Sequence, residues 1–292
     1  MTTSLTTIDT NNFAAMAKAM GIAADTENAK KSSSTLARLR LQHTPILGDD
    51  KILVKAGQYK LEIPDGPTYY AQSVNLRPYL QRFMYKRFIK GHGDKPNRYV
   101  KTVMADNLNI DLKDNDGGFN CGKPAGYIQD FKALPEKTQN LIKEIKRVRV
   151  MLGTVELIKP TDAKGNSVEL DETAFIWEIE NRDAFKDVGS VFAKLGKMKR
   201  LPIQHMVSGN TQERKLPNGN SFYLPVMSLD VTKTLDLGDK EQETFADFMS
   251  WVENYNTYII NTWSEKASNY DDELDAEIAS DIIDIDFDEE VA

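Results

Sequence analysis

Residues 270–292 carry eleven Asp and Glu and not one Lys or Arg. Like charges at this density repel one another and resist burial, so this stretch cannot help to build a core. It divides the chain. With the whole chain at −7, removing eleven negative charges leaves the preceding residues at +4. A protein acidic by its pI of about 5.2 is therefore a mildly basic body with an anionic end. The end is not purely solvating. In DIIDIDFDEEVA, Ile282, Ile283, Ile285 and Phe287 alternate with carboxylates. An apolar anchor among charges suits a peptide that docks in a basic-rimmed groove on another protein. Ile283, Ile285, Asp286, Phe287 and Asp288 are the candidate partner contacts. The plainer alternative is a solubilising end with no partner.

The body is long enough for one large domain or two small ones. No run of about 18 apolar residues is present, so the sequence predicts no membrane-spanning helix. The first residues lack a basic-then-apolar pattern, and the single cysteine, Cys121, excludes an internal disulfide and a multi-cysteine zinc site. These features predict a reduced, cytoplasmic protein.

Along the chain, short alternating segments dominate. Residues 12–20 suit a short helix and residues 26–35 a polar linker, so residues 1–35 are expected to be a flexible arm. From Leu36 onward, residues 36–41, 52–54 and 59–63 read as strands, and residues 69–76 and 82–89 as a further strand pair. A Gly-, Asp- and Asn-rich loop covers residues 111–126, and residues 135–145 suit a short helix. Residues 148–158 have strand composition, with Gly153 marking a bulge or a close backbone approach. Residues 173–179 form another strand. Phe185, Val188, Phe192 and Leu195 recur at helical spacing, with Gly196 as a stop. Residues 203–207 and 221–229 flank the Asn218-Gly219 turn, a strong hairpin signal. Asp239 caps a helix whose Phe245, Phe248, Val252, Tyr255 and Ile259 share a face, running to about Ala267. The expected fold is a β-rich α+β body over residues 36–267, with an OB-like, partly closed β-barrel, added helices and a disordered acidic tail over residues 268–292.

The richest chemistry lies in RPYLQRFMYKRFIKGHGDKPNRYVK, from Arg77 to Lys101. Eight cations stand there against one Asp, interleaved with five aromatic rings. Single-stranded nucleic acid needs this mixture, because cations track phosphates while rings stack on unpaired bases. The candidate contacts are Arg77, Tyr79, Arg82, Phe83, Tyr85, Lys86, Arg87, Phe88, Lys90, Lys95, Arg98, Tyr99 and Lys101. Strand alternation puts Arg82, Met84 and Lys86 on one face and Phe83, Tyr85, Arg87 and Ile89 on the other. The competing reading makes the rings core and the charges an outer, solvated face. Weaker basic clusters occur at Lys143, Lys146, Arg147 and Arg149, and at Lys194, Lys197, Lys199 and Arg200.

Other motifs carry less. Residues 117–123 match the first seven positions of a phosphate-binding P-loop, but Pro124 stands where Ser or Thr holds magnesium, so a glycine-rich turn is the better reading. His43, His92 and His205 are isolated, and Asp114, Asn115 and Asp116 lack the twelve-residue calcium pattern. No nucleophile elbow or zinc-hydrolase motif is present. The sequence predicts no enzyme, no metal and no cofactor.

A basic β-rich body followed by the tail DIDFDEEVA, with its near-terminal Phe287, resembles the acidic-tailed single-stranded DNA-binding proteins of bacteria and tailed bacteriophages. The segment order also looks like that of phage replication-module proteins: Leu36 through Tyr85, Cys121-Gly122-Lys123-Pro124, Phe222-Tyr223, then a long helix. The five residues after Phe287 depart from families whose tail ends on the aromatic. The resemblance implies an OB-fold that coats single-stranded DNA during replication or recombination, and a tail that recruits the enzymes of those processes. It places the protein in the host cytoplasm and leaves homo-oligomerisation open. The alternative is a virion or assembly protein whose tail keeps subunits apart.

Overall fold

The computed structural model describes residues 36–285 except Asp50, His92, Asp94 and Lys95, with side chains as far as Ala267. In chain order the elements are β1 (Ala37–Leu41), β2 (Ile46–Gly48), β3 (Lys51–Val54), β4 (Tyr59–Glu62), β5 (Thr68–Ala71), β6 (Ser73–Ile89) and β7 (Arg98–Lys101). There follow α1 (Glu136–Glu144), β8 (Ile145–Ile158), β9 (Thr173–Ile179), α2 (Arg182–Lys197), β10 (Val207–Lys215), β11 (Ser221–Leu229) and α3 (Asp239–Ile285).

The axis of the fold is the antiparallel pair β6–β8, which runs from Ser73↔Ile158 to Arg87↔Ile145. Around it the main sheet runs β11-β10-β6-β8-β9-β1-β4-β5, with β7 added at the far end of β6 and β2–β3 forming a separate ribbon. Only the β1–β9 pairing among these is parallel. The segments expected as a strand pair within residues 69–89 are instead β5 and one 17-residue strand, in which Pro78 is absorbed at a bulge and does not end the strand. A bulge interrupts the pair, since Pro78 faces Gly153 and Leu80 faces Leu152, leaving Tyr79 extra. Gly153 has a steric reason to be glycine, as a Cβ there would lie 2.3 Å from the Arg77 carbonyl oxygen.

Both faces of β8 are buried, which explains its nearly continuous apolar sequence. Met151, Val155 and Leu157 pack with Phe175, Trp177, Val188 and Leu195 under α2. Val148, Val150 and Leu152 pack with Met84, Ile176, Phe248 and Val252 under α3. The Asn181 side chain caps α2 by accepting from the Asp183 and Ala184 amides. A third, smaller cluster joins Tyr85, Val100, Leu112 and Cys121.

The sheet is open. The outer edge of β5 carries only an isolated bridge between Tyr70 and Thr161. The β10–β11 hairpin meets the β4 side through side chains, with Tyr59 Oη donating to the Asn210 carbonyl at 3.0 Å and Thr211 Oγ1 to the Gly57 carbonyl at 2.6 Å. The expectation of a partly closed barrel is corrected to this extent: no continuous ladder closes it among the described residues.

Helix α3 also departs from expectation at both ends. Asp239 is its first residue and not the cap; the Gly238 amide is bonded by the Glu241 carboxylate three residues on. The helical backbone continues to Ile285, eighteen residues beyond the boundary expected at Ala267. Between these ends, Tyr255 Oη donates to the Thr102 carbonyl and Asn256 bonds both the amide and the carbonyl of Met104. The helix is thereby tied to the chain just after β7. No helix among the described residues is long and apolar enough to cross a membrane.

Candidate nucleic-acid interface

Alternation along β6 sorts the basic–aromatic segment onto two faces, and the contacts agree with the faces read from sequence. Arg82 and Met84 reach α3, at Met249 and Tyr255, and Lys86 reaches Glu178 on the same side of β9. Phe83 lies on the other side, against Phe185 of α2.

Most of the candidate contacts are engaged within the body. Tyr79 is buried edge-on against Phe248, and Tyr85 sits in the third core cluster. Burial pushes both phenols above their ordinary pKa. Arg77 is an internal staple whose Nε donates to the Ile203 carbonyl, Nη2 to the Asp236 carbonyl and Nη1 to Glu241 at 2.9 Å. Arg82 pairs with Asp106 at 3.0 Å and Arg87 with Glu144 at 3.0 Å. Arg98 pairs with Asp116, which also faces Lys266 of α3 at 3.6 Å. Tyr79 and Tyr85 are thus core residues, while Arg77 fits neither reading, being held inside the body and not on a solvated face.

What stays open is the end of the β6–β7 hairpin. Phe88 and Tyr99 are direct cross-strand partners, with ring centroids 5.1 Å apart, and are 45% and 52% exposed. Lys86 Nζ stands 4.8 Å from the Tyr99 ring centroid. Two carboxylates hold that ammonium, Glu178 at 2.9 Å and Glu180 at 2.5 Å, and Glu178 also takes Lys101 at 3.1 Å. Burial alone would raise the Glu178 pKa, but Lys101 and Lys86 outweigh it and the net shift is downward. Lys90 is exposed near the same end, while Lys95 lies outside the described residues. Lys146, opposite Lys86 on β8, adds an exposed ammonium to this face.

The neighbouring glycine-rich loop is organised by one buried carboxylate. Asp114 accepts from the amides of Asp116, Gly118 and Cys121. Its pKa is raised by burial in spite of those three bonds. The loop passes through left-handed backbone at Asn120 and Cys121, and Lys123 Nζ is bound to the carbonyls of Pro124 and Gly126. This is a turn and not a phosphate cradle. Among the described residues no group of three or more His, Cys, Asp or Glu is placed to hold a metal ion.

The sequence reading missed the carboxylates of this site. Glu178 lies on β9 and Glu180 just after it, far from Lys86 in the chain, and the β6–β8 and β8–β9 registers together bring them near. It also underrated Arg149, which lies against both Phe83 and Phe185 on the α2 side. The tail contacts Asp286, Phe287 and Asp288 lie outside the described residues, as do the side chains of Ile283 and Ile285. Set against known proteins, the chain matches no family model, no curated protein and no solved structure.

Proposed function

We propose that this protein is a non-enzymatic single-stranded DNA-binding protein of phage type, acting in replication or recombination in the host cytoplasm. The observation that carries this reading is the exposed Phe88–Tyr99 pair at the end of the β6–β7 hairpin, with the exposed ammonium groups of Lys90 and Lys146 at the same end of the sheet. Solvent-facing rings next to cations offer stacking surfaces and phosphate contacts together, which is what an unpaired strand requires. Electrostatic attraction draws the strand in without reading its sequence.

The OB-like part of the reading draws support from the path β6-β8-β9-β1-β4-β5. Helix α2 follows β9 and covers one face, β1 and β9 are parallel, and the Tyr70–Thr161 bridge returns β5 to the chain just after β8. The acidic tail recruits partner enzymes and competes with DNA. In support, Lys266 of α3, four residues before the acidic run, faces Asp116, which also holds Arg98, the residue beside Tyr99.

A second reading, a virion or assembly protein, is favoured by one observation. Leu47 and Ile52 are direct partners across the β2–β3 ribbon and are both largely exposed, as an apolar subunit contact would be. Gel shifts with single-stranded DNA, duplex DNA and RNA oligomers separate the two. Preference for single-stranded DNA supports the first; no shift with any of them supports the second.

A further inference from the structure

We propose that Arg149 anchors a phosphate group on the α2-covered face of the sheet, opposite the face that carries Phe88 and Tyr99. This site goes beyond the ring-pair reading and does not depend on it.

Arg149 is 8% exposed, yet no carboxylate pairs with it among the described residues. The other engaged arginines of β6 and β7 differ. Arg77, Arg82, Arg87 and Arg98 each hold an Asp or Glu. Arg149 instead lies against a pair of neighbouring rings, its guanidinium carbon 4.5 Å from the Phe185 centroid and 4.9 Å from that of Phe83, with the two centroids 5.9 Å apart. Nε donates to the Phe185 carbonyl at 3.1 Å and Nη1 to Gln81 Oε1 at 2.5 Å. Nη2 makes no hydrogen bond among the described residues, and it is not among the polar atoms sealed from solvent.

The seat is built for this group. A Cβ on Gly189 would lie 2.3 Å from Nη2, so α2 keeps a glycine in its interior, against helix propensity, where the guanidinium rests. Burying a cation without an anion is costly, and ring faces and neutral acceptors return only part of that cost. Burial accordingly lowers the Arg149 pKa with nothing opposing it. Arg147, two residues along on the same strand face, is exposed and stands 5.8 Å from the same Phe185 ring. Two guanidinium groups beside one ring, one of them with an amino group that makes no hydrogen bond among the described residues, lack only the anion. Guanidinium geometry matches phosphate oxygens.

The test follows the Arg149 Nε–Hε resonance of the full-length, nitrogen-15-labelled protein. Inorganic phosphate is titrated against sodium chloride at matched ionic strength. A saturable shift with phosphate, absent with chloride and weakened in Arg147→Gln, is expected. A shift that follows ionic strength alone, or none, overturns the proposal. Because the readout is on the wild-type chain, it survives if Arg149→Gln does not fold. A second arm adds a single-stranded oligonucleotide to the Phe88→Ala/Tyr99→Ala protein. Movement of the same resonance identifies the phosphate as that of a nucleic-acid strand. Its absence, with inorganic phosphate still active, identifies a free phosphate. The ring-pair reading stands or falls separately in either case.

Discussion

Phe88 and Tyr99 face each other across the β6–β7 hairpin with their ring planes inclined by 54°, and about half of each surface meets solvent. Three residues back along β6, Tyr85 is buried among Val100, Leu112 and Cys121. The two positions therefore predict opposite phenotypes. Tyr85→Ala should cost about 3–5 kcal/mol of stability, as a large core truncation does. Phe88→Ala should change stability by about 0.5 kcal/mol and weaken single-strand binding by about 1–3 kcal/mol. Urea unfolding and DNA titration of both variants check this pair of outcomes.

Gly153 and Gly196 give a matched test of the bulge. Gly153→Ala drives a Cβ into the Arg77 carbonyl and should destabilise by about 1–3 kcal/mol or prevent folding. Gly196 lies near the end of α2 with nothing within 4 Å, so alanine there should stabilise by roughly 0.4–1 kcal/mol. Thermal midpoints of the two variants, one down and one up, are the expected result.

How far the sequence disclosed all this depends on whether the determining contact is local. Residues 173–179 form a strand because alternation is local, and the Asn218-Gly219 turn joins β10 to β11 for the same reason. Gly153 was legible because an isolated glycine within a strand pattern needs a steric cause. The faces of β6 followed from period two. By contrast, the neutralisation of Lys86 and Lys101 by Glu178 depends on a register spanning three strands, which no local pattern encodes. The burial of Tyr79 and Tyr85 beside the exposure of Phe88 is likewise set by α3 and the glycine-rich loop, which cover one part of β6 and stop short of its end. Helix α3 passed the expected boundary because charge density signals a solvated segment, and a solvated segment can still be helical.

Glu178 makes the stability of this end of the sheet sensitive to acid. Its folded pKa lies below the ordinary 4.5, so its contribution is present above that value and is lost as pH falls through the depressed folded pKa. The wild-type thermal midpoint should fall more steeply between about pH 5 and about pH 3 than that of Glu178→Gln, which lacks the contribution throughout. Identical pH profiles would show that Glu178 does not govern this end.

Deleting residues 270–292 should leave the body folded, because Ile259, Trp263 and Lys266 keep their contacts. The net charge moves from −7 to +4. Affinity for single strands should rise, most at low salt, as a tethered competitor at an effective concentration of order mM is removed. Phe287→Ala should abolish partner recruitment while scarcely changing DNA affinity. Pull-downs and titrations of the three proteins check this. Equal behaviour in all of them would reduce the tail to a solubility device.

The central claim is tested most directly by titrating a fluorescent single-stranded oligonucleotide with wild-type and Phe88→Ala/Tyr99→Ala proteins at salt concentrations from about 50 to about 200 mM. The wild type should bind with a log–log salt slope of roughly −0.7 per phosphate contact. The double variant should bind more weakly by about 2–6 kcal/mol with the same slope, since rings and not cations are removed. No binding at about 50 mM salt, or equal affinity in two folded proteins, would contradict the account.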